Sequence, residues 1–421
     1  MTPFDLSVLF FLQLAVILAA CRIIGIIFKK LGQSQVVSEM ITGVLLGPSL
    51  LGWVSPEFST FLFPPESKPI LFSVCQVGLV LYMFLIGVEF DSDLIKSRIR
   101  SAASVSLAGI LVPFALGGLI AFYLAGDTNL FSEKTTQTQA MLFMGAAMSI
   151  TAFPMLARII FEQGLTKTST GTLALAAGAI DDAAAWCVLA IVLASFQNDF
   201  TLAVYAIGGG ITFAIVTLVI IKRLLVPLGK MVEAAGEMSQ GTLVFVLMLA
   251  MLGAWFTDMI QIYAVFGAFI MGIAMPRGKF ANELHRLIYP LTTAFLLPVF
   301  FIYSGLNTKI GLVNTPYLWL LSGIILIAAI IGKGGACYAA ARLNGEPHRE
   351  AMAVGTLMNA RGLMELIILN IGLQRGIIQP ALFTIMVLMA VVTTLMTTPI
   401  FERIYGSKAQ REKVQPSILA N

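Results

Sequence analysis

The chain has 421 residues, 58% of them hydrophobic and 11% charged, where soluble domains carry about 25% charged residues. With a mean hydropathy of +0.92 it has too little polar surface to face water, which excludes a soluble enzyme or binding module. The net charge is only +4, so no nucleic-acid partner is expected and the placement of charge matters more than its sum. Four scattered cysteines in apolar runs and two histidines in polar stretches offer no metal, haem or redox centre, and no nucleophile–base arrangement is visible. Neither a cofactor nor an enzymatic activity is expected.

Runs long enough to cross a bilayer, about 17 to 25 residues, lie at 7–27, 36–54, 70–89, 101–125, 139–161, 170–195, 201–221, 240–257, 260–276, 290–306, 317–341, 351–373 and 381–401. They predict an all-α polytopic membrane protein with 13 transmembrane helices. The first run has no basic segment before it and no small-residue cleavage site, so it reads as retained. Of the 26 Lys and Arg, 19 fall in loops on one side, among them Lys29, Lys96, Arg158, Lys167, Lys222, Arg286 and the four after the last span. The other side has four: Lys68, Lys134, Lys309 and Arg375. The positive-inside rule puts the N-terminus outside and the C-terminus in the cytoplasm. Glu89, Asp91 and Asp93 read as a solvated helix end, and His285 and His348 as loop residues. Arg22 is close enough to a helix end to snorkel.

Four later spans break the apolar pattern. The fifth, MLFMGAAMSITAFPMLARII, has Gly145, Ser149, Thr151 and Pro154 near its middle. The sixth contains GAIDDAAAW, where Asp181 and Asp182 are the only ionisable side chains from Ser169 to Ser195 apart from Cys187. A charge at that depth costs from about 2.5 to more than 10 kcal/mol, so a pair of them points to function. The eleventh holds Lys333, and the twelfth holds Gly355, Thr356, Asn359 and Gly362 with Arg361 and Glu365. Pro and Gly weaken a helix, so the fifth and twelfth spans can unwind at mid-depth. Seven steps of the chain separate them, so they cross in opposite senses. Two interrupted helices of opposite sense are the sequence pointer to an inverted-repeat secondary transporter, with its ion site where the breaks cross.

Four stretches, SEMITGVLLGPSLLGWV (38–54), CQVGLVLYMFLIGVEFD (75–91), AGAIDDAAAW (177–186) and NARGLMELIILNIGL (359–373), resemble motifs of the second cation:proton antiporter family. That family includes bacterial sodium/proton antiporters, gated potassium efflux systems and plant cation/proton exchangers. The resemblance covers nearly the whole chain, and the last motif is most like the plant and cyanobacterial branch. It implies the Na⁺/H⁺ antiporter fold with crossed broken helices 5 and 12. It implies a homodimer in the bilayer of a bacterial inner (plasma) membrane, or of a thylakoid membrane in a cyanobacterium. The dimerisation part would be about 7–89 and 240–306, the core 101–195 and 317–401, the linker helix 201–221 and a short cytoplasmic tail 402–421. By the same resemblance Asp182 matches the ion-binding aspartate, Asp181 the acid before it and Lys333 its pairing lysine. Thr151 and Asn359 match the helix breaks. Some bacterial members have an acid directly after the Arg-Gly of helix 12; this chain has Leu363 there and its glutamate at Glu365.

The chemistry agrees with these residue types. One carboxylate withdrawn from water can hold either a proton or a hard cation such as Na⁺, which takes oxygen ligands. Asp182 is expected to be that site, with oxygens near Ser149 and Thr151 completing the set. Adjacent helical residues project about 100° apart, so Asp181 can face Lys333 instead, and Arg361 with Glu365 forms a supporting pair. Exchange of Na⁺ (or Li⁺) for protons by alternating access is the expected activity. An electrogenic ratio of about two protons per sodium would follow if Asp181 and Lys333 titrate together as a coupled pair. Potassium exchange is the alternative, and a sodium-coupled organic-anion symporter is disfavoured by the lysine-paired acids. Glu39, in the second span, reads as a dimer-domain or funnel residue.

Overall fold

A bilayer has no water to satisfy backbone N–H and C=O groups, so apolar spans must close their own hydrogen bonds. The computed structural model describes residues 2–30, 33, 35–90, 98–165, 168–197, 200–260, 262–306 and 310–406, and among them it is helical, with a single isolated β-bridge between Phe131 and Ile378. The helices are α1 (Pro3–Lys30), α2 (Gln35–Leu46), α3 (Leu51–Val54), α4 (Pro56–Leu62), α5 (Lys68–Glu89), α6 (Ile99–Leu124), α7 (Gln137–Ser149), α8 (Phe153–Glu162), α9 (Ser169–Gln197), α10 (Phe200–Val216) and α11 (Lys222–Ala235). They continue with α12 (Gln240–Met259), α13 (Ala264–Ala274), α14 (Lys279–Leu291), α15 (Leu297–Gly305), α16 (Pro316–Ala329), α17 (Ala336–Leu343), α18 (His348–Met358), α19 (Leu363–Gln374) and α20 (Pro380–Tyr405). Three joints are π-helical turns: Thr217–Ile221, Thr292–Leu296 and Ile330–Gly335.

Among the described residues nine helices are apolar and long enough to cross a membrane. The fifth and twelfth runs are absent from those nine because each is cut in two, α7/α8 and α18/α19. Asp91, Asp93, Lys96, Lys167, Lys309 and the tail beyond Gly406 lie outside the described residues.

Two compact units form. The first comprises Met1–Ile23, Thr42–Asp91 and Trp186–Asn307. In it α5 lies against α13 so closely that a Cβ on Gly87 or Gly272 would collide with the facing backbone. Phe84, Leu85, Val246, Ala268 and Leu284 lie in its buried core. Arg277 caps the end of α5 by donating to the carbonyls of Val88 and Phe90. The second unit comprises Ile24–Ile41, Ser92–Ala185 and Thr308–Asn421. Here α6 meets α7 at Gly117 and Gly145, where a Cβ would come within 3.0 Å of the opposing backbone. Small residues let membrane helices approach in this way. By contacts, Ile24–Ile41 joins the second unit although its sequence position groups it with the 7–89 segment.

Two stretches read from sequence as charged loops are helices instead. α11 and α14 are amphipathic: Leu225 and Val232, and Phe280, Leu284 and Ile288, are buried. Lys222, Lys230, Lys279 and Arg286 stay exposed. A search for uniformly apolar runs cannot find such helices, because their apolar residues recur only on one face. Arg158 is likewise no loop residue. It lies within α8, 7% exposed, 3.5 Å from buried Glu39 and 3.2 Å from Glu162. Glu39 also accepts from Gln35 at 3.0 Å.

Candidate ion site

A helix that stops inside the membrane leaves its last four carbonyls without intrahelical donors and without water. α7 stops at Ser149, so these belong to Ala146, Ala147, Met148 and Ser149. Side chains meet all four. Ser149 folds its own hydroxyl back to Ala146 O at 2.9 Å. Arg361 donates Nη2 to Met148 O at 2.7 Å and Nη1 to Ala147 O at 3.4 Å. Lys333 Nζ donates to Ser149 O at 2.5 Å. Two cations at a helix C-terminus also complement the negative end of its dipole.

The fold brings Lys333 there by a close approach of backbones. Lys333 sits in the π-helical turn Ile330–Gly335, an irregularity frequent at functional sites. That turn touches α18 where a Cβ on Gly355 would stand 2.5 Å from Gly334 O; glycine is required for this packing. The two unwound stretches meet directly, Ala152 N–H donating to Ala360 O at 3.3 Å. Thr394 of α20 holds the second stretch: its Oγ1 accepts from Arg361 N–H at 3.0 Å and donates to Arg361 O at 2.7 Å.

The adjacent aspartates have opposite surroundings. Asp181, 1% exposed, accepts from Lys333 Nζ at 2.7 Å and from Thr151 Oγ1 at 2.6 Å on Oδ2, and from Ser106 Oγ at 2.5 Å on Oδ1. Its carboxylate is saturated. Asp182, 6% exposed, has a buried Oδ1 with no hydrogen-bond partner among the described residues. A buried polar oxygen left without a donor is costly, and it is met by taking a proton or a cation. The site therefore contains one carboxylate locked in place and one open.

The remaining candidate residues divide similarly. Ser149 and Thr151 sit at the first break, but their hydroxyls go to Ala146 and Asp181, and neither donates to Asp182. Pro154 is the second residue of α8, where a missing N–H is tolerated. Asn359 Oδ1 has no hydrogen-bond partner among the described residues, and Asn359 lines a cavity of about 420 Å³ with Thr356, Thr393 and the hydrogen-bonded pair Tyr338–His348 (2.9 Å). Neither aspartate lines that cavity. Arg361 Nη1 stands 3.6 Å from Glu365 Oε2. Sequence reasoning missed Ser106 and Thr394. The available signal was a hydroxyl in an apolar span, whose partner must be a protein group, but nothing local says which one.

A family model described as "Sodium/hydrogen exchanger, transmembrane" matches residues 15–403. The Na⁺/H⁺ antiporter NhaS4 of Synechocystis is 39% identical over 94% of this chain and 97% of its own length. Cation/H⁺ antiporter 20 of Arabidopsis thaliana is 35% identical over 94% of this chain and 48% of its own length, so the chain spans about half of that plant relative. Among solved structures, the sodium proton antiporter MjNhaP1 from Methanocaldococcus jannaschii matches with a TM-score of 0.58 at 15% identity, over 92% of this chain and 94% of that one; this likeness is one of fold. From the family model, which takes in both broken helices and the acid pair between them, it follows that the chain is a member of the sodium/hydrogen exchanger family.

Proposed function

We propose that the protein is a secondary antiporter that exchanges Na⁺ for protons across a bilayer by alternating access, with Asp182 as the shared site. The observation that carries this reading is the contrast between the saturated Asp181 and the open Asp182 beside the crossed helix breaks. At Asp182 a proton and a hard cation compete for the same oxygens, so the site moves loaded with one or the other. Asp181 and Lys333 hold the crossing together and keep the fixed charge beside the cation balanced. The cation is Na⁺ by likeness to the cyanobacterial relative, while the plant relative's name leaves the cation open.

The 13-crossing topology with N-terminus outside and C-terminus in the cytoplasm is supported by the Lys/Arg asymmetry and by helices over every apolar run. A homodimer formed through the 7–89 and 240–306 segments follows from the resemblance, with 101–195 and 317–401 carrying the ion. The membrane is a bacterial plasma or thylakoid membrane.

The test is purified protein in liposomes with an imposed pH gradient, internal pH being followed on addition of Na⁺, K⁺ or Li⁺. Na⁺ should dissipate the gradient, and Asp182→Asn should abolish this while folding and dimerisation persist. Exchange retained in Asp182→Asn would move the ion site elsewhere. A response to K⁺ alone would change the cation and keep the mechanism.

A further inference from the structure

Asp182 and Asp181 leave one acid of the crossing unused. Glu365 is fully buried, at 0% exposed, in the first turn of α19. Neither Oε1 nor Oε2 has a hydrogen-bond partner among the described residues. Its closest cation, Arg361 Nη1, is 3.6 Å away, outside hydrogen-bond range, because that guanidinium is drawn toward the carbonyls of Ala147 and Met148. Lys333, the other buried cation of the crossing, is held by Ser149 O and Asp181. An ionised carboxylate buried without donors is strongly disfavoured and takes up a proton instead. The positive end of α19 and the guanidinium favour the charged form. These opposed influences make its charge state sensitive to a small movement of Arg361.

We infer that Glu365 is a second proton-binding site of the transport cycle, coupled to Arg361. With Arg361 on the end of α7, as here, Glu365 carries a proton on one Oε. When the crossing rearranges and the guanidinium turns to Glu365, the O–H bond breaks, the proton passes to water on the side then open, and the carboxylate forms a charge-assisted pair with Arg361. The return movement takes a proton back from water. Glu365, rather than Lys333, then supplies the second proton of an electrogenic exchange. Lys333 has two close acceptors, Ser149 O and Asp181, while Glu365 has no hydrogen-bond donor among the described residues.

This inference rests on the antiport reading, and its test reads a ratio in a variant that still exchanges. In proteoliposomes, proton release and ²²Na⁺ uptake are measured together, with sodium-driven current on a solid-supported membrane. Glu365→Gln, a permanently uncharged isostere, should continue to exchange with the proton-to-sodium ratio halved and the current lost. An unchanged ratio and current in Glu365→Gln would overturn the assignment and leave exchange at Asp182 intact. A one-for-one, currentless wild type would also overturn it. If Glu365→Gln is inactive or unstable, the decision comes from Na⁺-induced infrared difference spectra of active protein carrying carboxyl-¹³C glutamate in a Glu39→Gln background. A protonated-carboxyl band that shifts with the label and disappears in Glu365→Asp supports Glu365, and absence of any label-sensitive band, or its persistence in Glu365→Asp, overturns it. Wild-type protein with no exchange at all would overturn both readings.

Discussion

The two interrupted helices have the same backbone fault and mend it differently. After α7, the orphan carbonyls are met by side chains, two of them cationic and both from elsewhere in the fold. After α18 the chain tightens on itself, Asn359 N–H and Ala360 N–H turning back to Thr356 O and Leu357 O at 3.2 and 3.0 Å. A local turn of this kind satisfies carbonyls without imported charge. Fixed positive charge thus gathers at one break only, and the acid pair of α9 is drawn to that break: Lys333 bonds both Ser149 O and Asp181. The neutral break keeps Asn359 facing a cavity. One repair draws charged side chains to the break, and the other leaves a cavity beside it.

Substitutions can break this contrast, and the largest effect is expected at Arg361. Arg361→Ala uncaps two buried carbonyls and strips Glu365 of its nearest cation. A buried polar group left without its partner costs about 1–3 kcal/mol, and both carbonyls lose theirs. Thermal unfolding in detergent should reveal a marked fall in melting temperature. An unchanged melting temperature would mean that the end of α7 does not depend on the guanidinium.

A smaller change is expected for Thr151→Val, which keeps shape and removes one of two hydroxyls from Asp181. A hydrogen bond to a charged group contributes about 1.5–3 kcal/mol. Because Asp181 keeps Lys333 and Ser106, exchange should survive with half-saturating Na⁺ raised by less than about tenfold, a factor worth about 1.4 kcal/mol. Complete loss of exchange would indicate that Thr151 ligates the cation directly.

The smallest effect sharpens the contrast at the other break. The Thr356 hydroxyl bonds back to Met352 O of its own helix at 2.8 Å, which offers little stability. Thr356→Val should leave melting temperature and Na⁺ dependence near wild type, within about 0.5 kcal/mol. A strong phenotype there would make the cavity beside Asn359 part of the ion path.

Much of the fold was legible because membrane helices announce themselves by run length, and both helix breaks because Gly and Pro mark them. The amphipathic α11 and α14 escaped that reading: their charges made them look like loops, and only burial of Leu225, Val232, Phe280 and Leu284 against neighbours exposes a one-sided apolar face. At the site, Asp181, Asp182 and Lys333 were conspicuous as charges in apolar surroundings. Their division of labour was not. Ser106 and Thr394 carry no charge and lie far along the chain from Asp181 and Arg361, so no local pattern names their partners.

By itself the sequence determined that the chain must live in a bilayer, where its helices stop short, and which acids stand at depth. These follow from transfer free energy and backbone chemistry, which act residue by residue. Only the tertiary structure decided which acid is open. Asp181 and Asp182 are identical in type and adjacent in position, and they differ solely in what α6, the α7 break and the π-helical turn at Lys333 present to each. Hydrogen bonds need a donor at the right distance and direction, and distant segments acquire that geometry only when the chain is folded.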